Sequence, residues 1–210
     1  MLSAPTAPAL DVVGLVVRRG DRTVLDDLGA SFPSGTVTAV TGPNGSGKST
    51  LLDVLAGVVE PTGGRVSRLQ ADRGLAYVTQ SVPPTALPLT VRATVSMGRW
   101  PHRRWWRPLG RADRRVVDAQ LERMAIADLA DRPFDELSGG QRQRTLVALG
   151  LAQRAGVLLV DEPTAGVDAG SAALVVSALA DEAAAGAVVV HAAHHPEAIA
   201  AADRVLALGA

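Results

Sequence analysis

Thr36-Val37-Thr38-Ala39-Val40-Thr41-Gly42-Pro43-Asn44-Gly45-Ser46-Gly47-Lys48-Ser49-Thr50-Leu51-Leu52 passes from an apolar run, through a glycine-spaced loop, into the start of a second apolar pattern. Thr36 to Thr41 predicts a strand. Leu51, Leu52 and Leu55 fall on one helical face, and Gly57 is a C-terminal stop for that helix. Strand, glycine loop and helix is the context in which successive backbone N–H groups converge on anionic oxygens, because glycine lets a phosphate approach closely. The chain carries 21 basic residues, and Lys48 is the only lysine among them. A lysine placed at random among the basic positions would land in this loop about one time in twenty. A compact ammonium on a flexible stem suits the β and γ phosphates of a nucleotide. A chance glycine-rich turn is the competing reading, and the flanking strand and helix count against it.

Working outward, 210 residues suffice for one core, or a core with a small lobe. A formal net charge of zero gives no support to a broad nucleic-acid surface. Cysteine is absent, which excludes disulfides and thiolate metal sites and suits a reducing cytoplasm. Residues 1–9 read as a loose tail without the features of a signal peptide, and no apolar stretch approaches the roughly 20 residues of a membrane span.

Between Leu10 and Phe32, apolar runs flank a turn at Gly20-Asp21-Arg22, which predicts a hairpin. Leu75 to Thr79, Val157 to Val160 and Ala187 to Ala192 are apolar without alternation, as strands buried on both faces of a parallel sheet should be. Val82 to Leu151 reads as mostly helical. Val117, Leu121 and Met124 share one helix face, with Asp113 placed as its cap.

Three further features carry chemistry. Ser49 offers a hydroxyl to Mg²⁺, and Thr50 is placed for the α-phosphate region. Val157–Val160 delivers two acids at its tip, Asp161 to hold Mg²⁺ through water and Glu162 to orient or deprotonate the attacking water. Leu137-Ser138-Gly139-Gly140-Gln141 opens a helix running to Leu151, creating a second anion-binding helix end. One nucleotide has little use for two such ends in one subunit, so the second is expected to serve a nucleotide held by another subunit.

These elements, in this order, resemble the nucleotide-binding ATPase subunit of an ABC transporter, over Leu10 to Leu208. The resemblance rests on Gly42 to Thr50, Gln80, Leu137 to Gln141, Asp161-Glu162, Asp168 and a late histidine. It implies an α/β fold with a P-loop NTPase core, an N-terminal antiparallel β subdomain and a helical lobe at about 82–151. It further implies a head-to-tail dimer, here a homodimer, enclosing two ATP molecules with Mg²⁺. Each lies between Gly42, Pro43, Asn44, Gly45, Ser46, Gly47, Lys48, Ser49 and Thr50 of one subunit and Ser138, Gly139, Gly140 and Gln141 of the other. By the same resemblance Gln80 touches Mg²⁺ and the water, and Asp168 lines the site. His194 senses the γ-phosphate, with His195 as its alternative. The family stacks an aromatic on adenine where this chain has Arg18-Arg19-Gly20, so either Arg19 offers a guanidinium plane instead or the base is held loosely. His191, His194 and His195 also admit a zinc-site reading, opposed by the placement of His191 within a strand.

The implied partners are a transmembrane permease and, through it, an extracytoplasmic solute-binding protein, with no nucleic acid. The implied place is the cytoplasmic face of the plasma (inner) membrane. Met97 to Arg107, which holds all three tryptophans in an arginine-rich setting, reads as the permease docking surface, with a plain structural surface whose tryptophans pack under the lobe as the competing reading. The region from Thr90 to Asp131 is similar to subunits of zinc and manganese importers, in Met97-Gly98-Arg99 and Arg111-Ala112-Asp113-Arg114. The end soon after Leu208 predicts no appended regulatory domain. The expected function is therefore to power import of zinc or manganese, with another importer or an exporter as the alternative. A soluble ABC ATPase uncoupled from transport is the further rival, disfavoured by a single short cassette.

Overall fold

Period-two patterns near the N-terminus and unbroken apolar runs later in the chain fold into two different sheets. The computed structural model describes residues 8–68, 73–80, 89–102 and 108–209. Strands β1 (Pro8–Arg19) and β2 (Arg22–Pro33) form the predicted hairpin, and β4 (Gly63–Arg68) pairs with β1 on the other side, giving an antiparallel order β2-β1-β4. Strand β1 begins at Pro8, two residues inside the expected tail.

The second sheet is parallel, in the order β5-β6-β7-β3-β8, with β3 at Thr36–Thr41, β5 at Leu75–Val78, β6 at Val157–Val160, β7 at Val188–Ala192 and β8 at Arg204–Ala207. Every residue of β6 and β7 is buried, as the unbroken runs predict. Strand β5 differs. Leu75 and Tyr77 are only partly buried, because β5 is the edge strand of this sheet.

Helix α1 (Lys48–Ala56) starts directly from the glycine loop and ends at Gly57 in the left-handed conformation, φ 77°. Leu51, Leu52 and Leu55 are fully buried beneath it and contribute about 2 kcal/mol each by area removed from water. Helices α2 (Val91–Met97), α3 (Arg111–Arg123) and α4 (Gly139–Ala152) form the lobe; α5 (Ala169–Ala184) and α6 (Pro196–Ala200) return to the core. Residues 82–88 and 103–107 of the expected lobe, the latter including Trp105 and Trp106, lie outside the described residues.

Val117, Leu121 and Met124 are buried as predicted. The cap of α3 is corrected. Gly110 is the N-cap, and Asp113, at the third helical position, reaches back to accept from the Gly110 N–H at 3.2 Å. A carboxylate three residues inside the helix still satisfies an orphan donor at its start, which is why the motif looks like a simple cap in sequence. Two strands carry no strong sequence signal: β4 is rich in glycine and arginine, and β8 is short.

Lobe and core are strapped together. Arg123, at the end of α3, donates to Glu182 Oε1 at 2.8 Å, to Asp181 Oδ2 at 2.9 Å and to the Ala178 carbonyl at 3.0 Å, all on α5. Arg144 on α4 donates to the carbonyls of Met124 and Ala125, each at 2.9 Å, satisfying the end of α3.

Candidate nucleotide site

Parallel strands all present their carboxyl ends on the same side, and in an open α/β sheet ligands bind beyond those ends. Here four adjacent strands do so in register. Val78 pairs with Val160, Val160 with His191, and Val40 with Ala192, so the segments following β5, β6, β7 and β3 leave the sheet at one edge. Those segments carry Gln80, Asp161-Glu162, His194 and the Gly42–Lys48 loop.

The loop is shaped by backbone that only glycine tolerates. Gly42 has φ 145°, and a Cβ there would lie 2.5 Å from the Leu208 carbonyl and 2.6 Å from Ser46 Oγ. Gly47 has φ 99°, and a Cβ would lie 2.8 Å from Leu25 on β2, so the hairpin packs directly against the loop. Lys48 is buried and donates to the carbonyls of Gly42 at 2.9 Å and Pro43 at 3.2 Å. An ammonium has three donors. Two hold the loop, and one is left for an anion. Pro43, Asn44, Gly45 and Ser46 form the turn between strand and helix; Ser49 and Thr50 lie in the first turn of α1.

Asp161 is buried at the tip of β6 and shares a hydrogen bond with the Ser49 side chain. Burial pushes its carboxyl above the usual carboxylate range, against the opposing pull of the Ser49 bond; the nearby Glu162 and Asp53 charges push the same way as burial. Its Oδ1 is buried with no partner, and so is Ser46 Oγ. An orphaned carboxylate oxygen beside a hydroxyl is a hard-oxygen donor set, and the energetic cost of leaving it bare is relieved by a divalent cation such as Mg²⁺. The residues present therefore fit a Mg²⁺-bound triphosphate.

Glu162 has φ 49°, an uncommon conformation for a non-glycine residue, and it turns its carboxylate between two other groups. Gln80 Nε2 donates to Oε2 at 2.7 Å, and His194 Nδ1 lies 3.6 Å from Oε1. His195 stands against the His194 ring, centroids 4.3 Å apart, while it is His194 that meets Glu162. His191 lies inside β7, buried, with Nδ1 unpartnered, and burial lowers its pKa to about 4. No cluster of three or more histidines and acids able to hold a metal forms among the described residues, so the zinc-site reading of the late histidines finds no geometry.

Ser138 and Gln141 sit at the start of α4 and satisfy each other. Ser138 Oγ accepts from the Gln141 N–H at 3.3 Å, and Gln141 Oε1 accepts from the Ser138 N–H at 3.0 Å. A Cβ on Gly139 would meet nothing, and one on Gly140 would meet Val167 at 3.6 Å, so this helix end is open and borders the loop leading to Asp168. Asp168 caps α5, accepting from the Ser171 N–H at 2.9 Å and the Ser171 hydroxyl at 2.7 Å, and those bonds hold its carboxyl below the usual range.

Three side chains absent from the sequence reading also belong here. Arg22 donates to the Gly45 carbonyl at 3.3 Å, and Asp53 accepts from Arg19 at 3.4 Å and from the Tyr77 hydroxyl at 3.0 Å. Asp53 had one signal, as the single acid in the helix that follows the loop.

Comparison with known proteins agrees with this geometry. Residues 25–165 match the family described as ABC transporter. The chain is 43% identical over 169 residues to the cobalamin import ATP-binding protein of Halobacterium salinarum, spanning 76% of this chain and 42% of that protein. It is 38% identical over 170 residues to the iron(3+)-hydroxamate import ATP-binding protein of Bacillus subtilis, spanning 76% of this chain and 63% of that protein. A manganese transport system ATP-binding protein of Synechocystis and a zinc import ATP-binding protein of Ruegeria pomeroyi each match at 39% identity, over 70% and 79% of this chain and 60% and 61% of their own length. The chain thus spans less than two thirds of the length of these relatives. An inward-facing ABC transporter, described as of metal-chelate type, superposes with a TM-score of 0.84 and 33% identity over 96% of this chain and 79% of that one. With two sheets, lobe and loop in the places this family requires, the chain belongs to the ABC transporter family.

Proposed function

We propose that this chain is the ATP-binding and ATP-hydrolysing subunit of a membrane importer, working at the cytoplasmic face of the membrane. The observation that carries the reading is the meeting at one sheet edge of a phosphate loop, an orphaned buried acid and a second acid gripped by Gln80 and His194. Gly42 to Thr50 bind the phosphates, with Lys48 supplying the charge. Ser49 and Asp161 hold Mg²⁺, which neutralises charge on the transferred phosphoryl group. Glu162 takes the proton of the attacking water or orients it. Gln80 and His194 keep that carboxylate aimed and register the γ-phosphate, and Gln80 would also help hold the metal. Arg19 faces the base.

Ser138, Gly139, Gly140 and Gln141 present an open helix end that one nucleotide does not need twice, and Asp168 stands beside it. A second copy of the chain, docked head to tail, would use that end to close the site. A permease and a solute-binding protein complete the assembly. Cargo is the finer question. The zinc or manganese expected from the sequence widens to metal carried free or in a chelate, since relatives of similar identity are named for cobalamin and iron(3+)-hydroxamate as well as for manganese and zinc. The purified chain with Mg²⁺ and ATP provides the test: hydrolysis that vanishes in Glu162→Gln while nucleotide binding persists supports the reading. Absence of ATP binding by the unaltered chain refutes it.

A further inference from the structure

Among the described residues, the Phe, Trp and Tyr side chains are already engaged elsewhere. Phe32 is buried in the core, Phe134 and Trp100 belong to the lobe, and the Tyr77 hydroxyl is committed to Asp53. The hairpin tip, by contrast, carries three guanidinium groups, one of them on the phosphate loop. Arg22 is bonded to the loop itself at Gly45. Arg18 is tied back to Thr23 within the hairpin at 3.4 Å. Arg19 reaches across to α1, the helix that begins at Lys48, and binds Asp53 Oδ2 at 3.4 Å, leaving most of its own surface open, 59%.

Asp53 is itself held. Its second oxygen, Oδ1, accepts from the Tyr77 hydroxyl on the edge strand β5 at 3.0 Å. One carboxylate, 24% exposed, is thus fixed from two directions, by a strand of the parallel sheet and by the antiparallel hairpin. An exposed arginine normally samples many rotamers, and an exposed ion pair by itself restrains it weakly. Anchoring the acceptor reduces that freedom. The guanidinium can keep its plane while most of the side chain stays open to a flat, electron-rich ring.

We propose that Asp53, braced by Tyr77, is a positioning residue that holds the Arg19 guanidinium as a stacking platform for the nucleotide base. This rests on the reading of Gly42 to Thr50 as the phosphate site. Stacking on a guanidinium recognises any purine face and makes no hydrogen bond to a base edge, so the platform discriminates poorly between adenine and guanine.

Binding of ATP, GTP and inorganic tripolyphosphate to the purified chain in Mg²⁺ separates the possibilities, because tripolyphosphate has no base. Arg19→Ala should weaken ATP and GTP alike by about tenfold, the scale of one stacked cation, and leave tripolyphosphate unchanged. Asp53→Asn should weaken ATP about threefold through a disordered platform, again sparing tripolyphosphate. In an Arg19→Tyr background, where an aromatic ring needs no carboxylate to orient it, Asp53→Asn should cost nothing further. Equal losses for ATP and tripolyphosphate in Arg19→Ala would make Arg19 a phosphate contact and overturn the platform. The same Asp53→Asn loss in both backgrounds would show that Asp53 acts on the fold of α1 and overturn its positioning role. Failure of the unaltered chain to bind tripolyphosphate or ATP would instead overturn the phosphate-site reading beneath it.

Discussion

The Gln80 amide donates to Glu162 Oε2 across 2.7 Å of space and 82 positions of sequence. With His194 Nδ1 3.6 Å from the other oxygen, the Glu162 carboxylate is bracketed on both sides. A base held this way is aimed without side-chain freedom to lose at the moment of reaction.

Glu162→Gln keeps the shape of this arrangement and removes the proton acceptor. Turnover should fall by roughly a hundredfold or more while ATP binding stays within about twofold of the unaltered chain. Single-turnover hydrolysis alongside equilibrium binding checks it, and a variant with normal turnover would take Glu162 out of its role.

Lys48→Arg retains charge but replaces a compact ammonium by a planar fork, in a buried place already shared with the Gly42 and Pro43 carbonyls. Binding or turnover should drop by about tenfold or more. Unchanged kinetics would mean that the solitary lysine of this chain has no special task.

Arg123→Met should loosen the lobe from the core. The bond to Glu182 and that to the Ala178 carbonyl are largely shielded, whereas Asp181 is two-thirds exposed and adds little. Unfolding free energy in urea should fall by about 2 kcal/mol. Tripolyphosphate affinity should not move, because neither α3 nor α5 supplies a loop residue.

His191 makes stability depend on acid. Its folded-state pKa is depressed from 6.5 to about 4 by burial, so between those values the unfolded chain binds a proton that the folded chain refuses. Stability from this group is therefore complete above pH 6.5 and is lost as pH falls toward 4, by about 3 kcal/mol in all. Asp161, whose pKa is raised, works in the opposite direction at acidic pH. Comparing urea unfolding of the unaltered chain with His191→Gln at pH 7 and pH 4.5 isolates the histidine: the difference between the two chains should shift by most of that amount. A constant difference would mean that His191 is not buried neutral.

Much of this could be read along the chain because it depends on neighbours in sequence. The loop from Gly42 to Thr50, the helix stop at Gly57, the buried runs of β6 and β7 and the helix opened by Ser138 to Gln141 are set within a few residues by backbone sterics, periodicity and short-range hydrogen bonds. The same local logic misplaced the cap of α3, since Asp113 satisfies the Gly110 N–H from three positions inside the helix. It also missed the exposure of β5, which follows from that strand's place at the edge of the sheet. Weak strands such as β4 escaped notice because their pairing partners, not their own residues, hold them.

Distances between remote side chains had to wait for the folded sheet. Sequence alone determined that the chain holds a phosphate loop, two acids at a strand tip and a second glycine-opened helix. Tertiary structure decided that Gln80 and His194 both meet Glu162, that Asp161 Oδ1 is left bare, and that Arg19 is drawn to Asp53 while Tyr77 braces it from behind. The reason is that parallel strand order, β5-β6-β7-β3, brings together segments far apart in sequence by hydrogen-bond register, a property of the sheet and of no single segment.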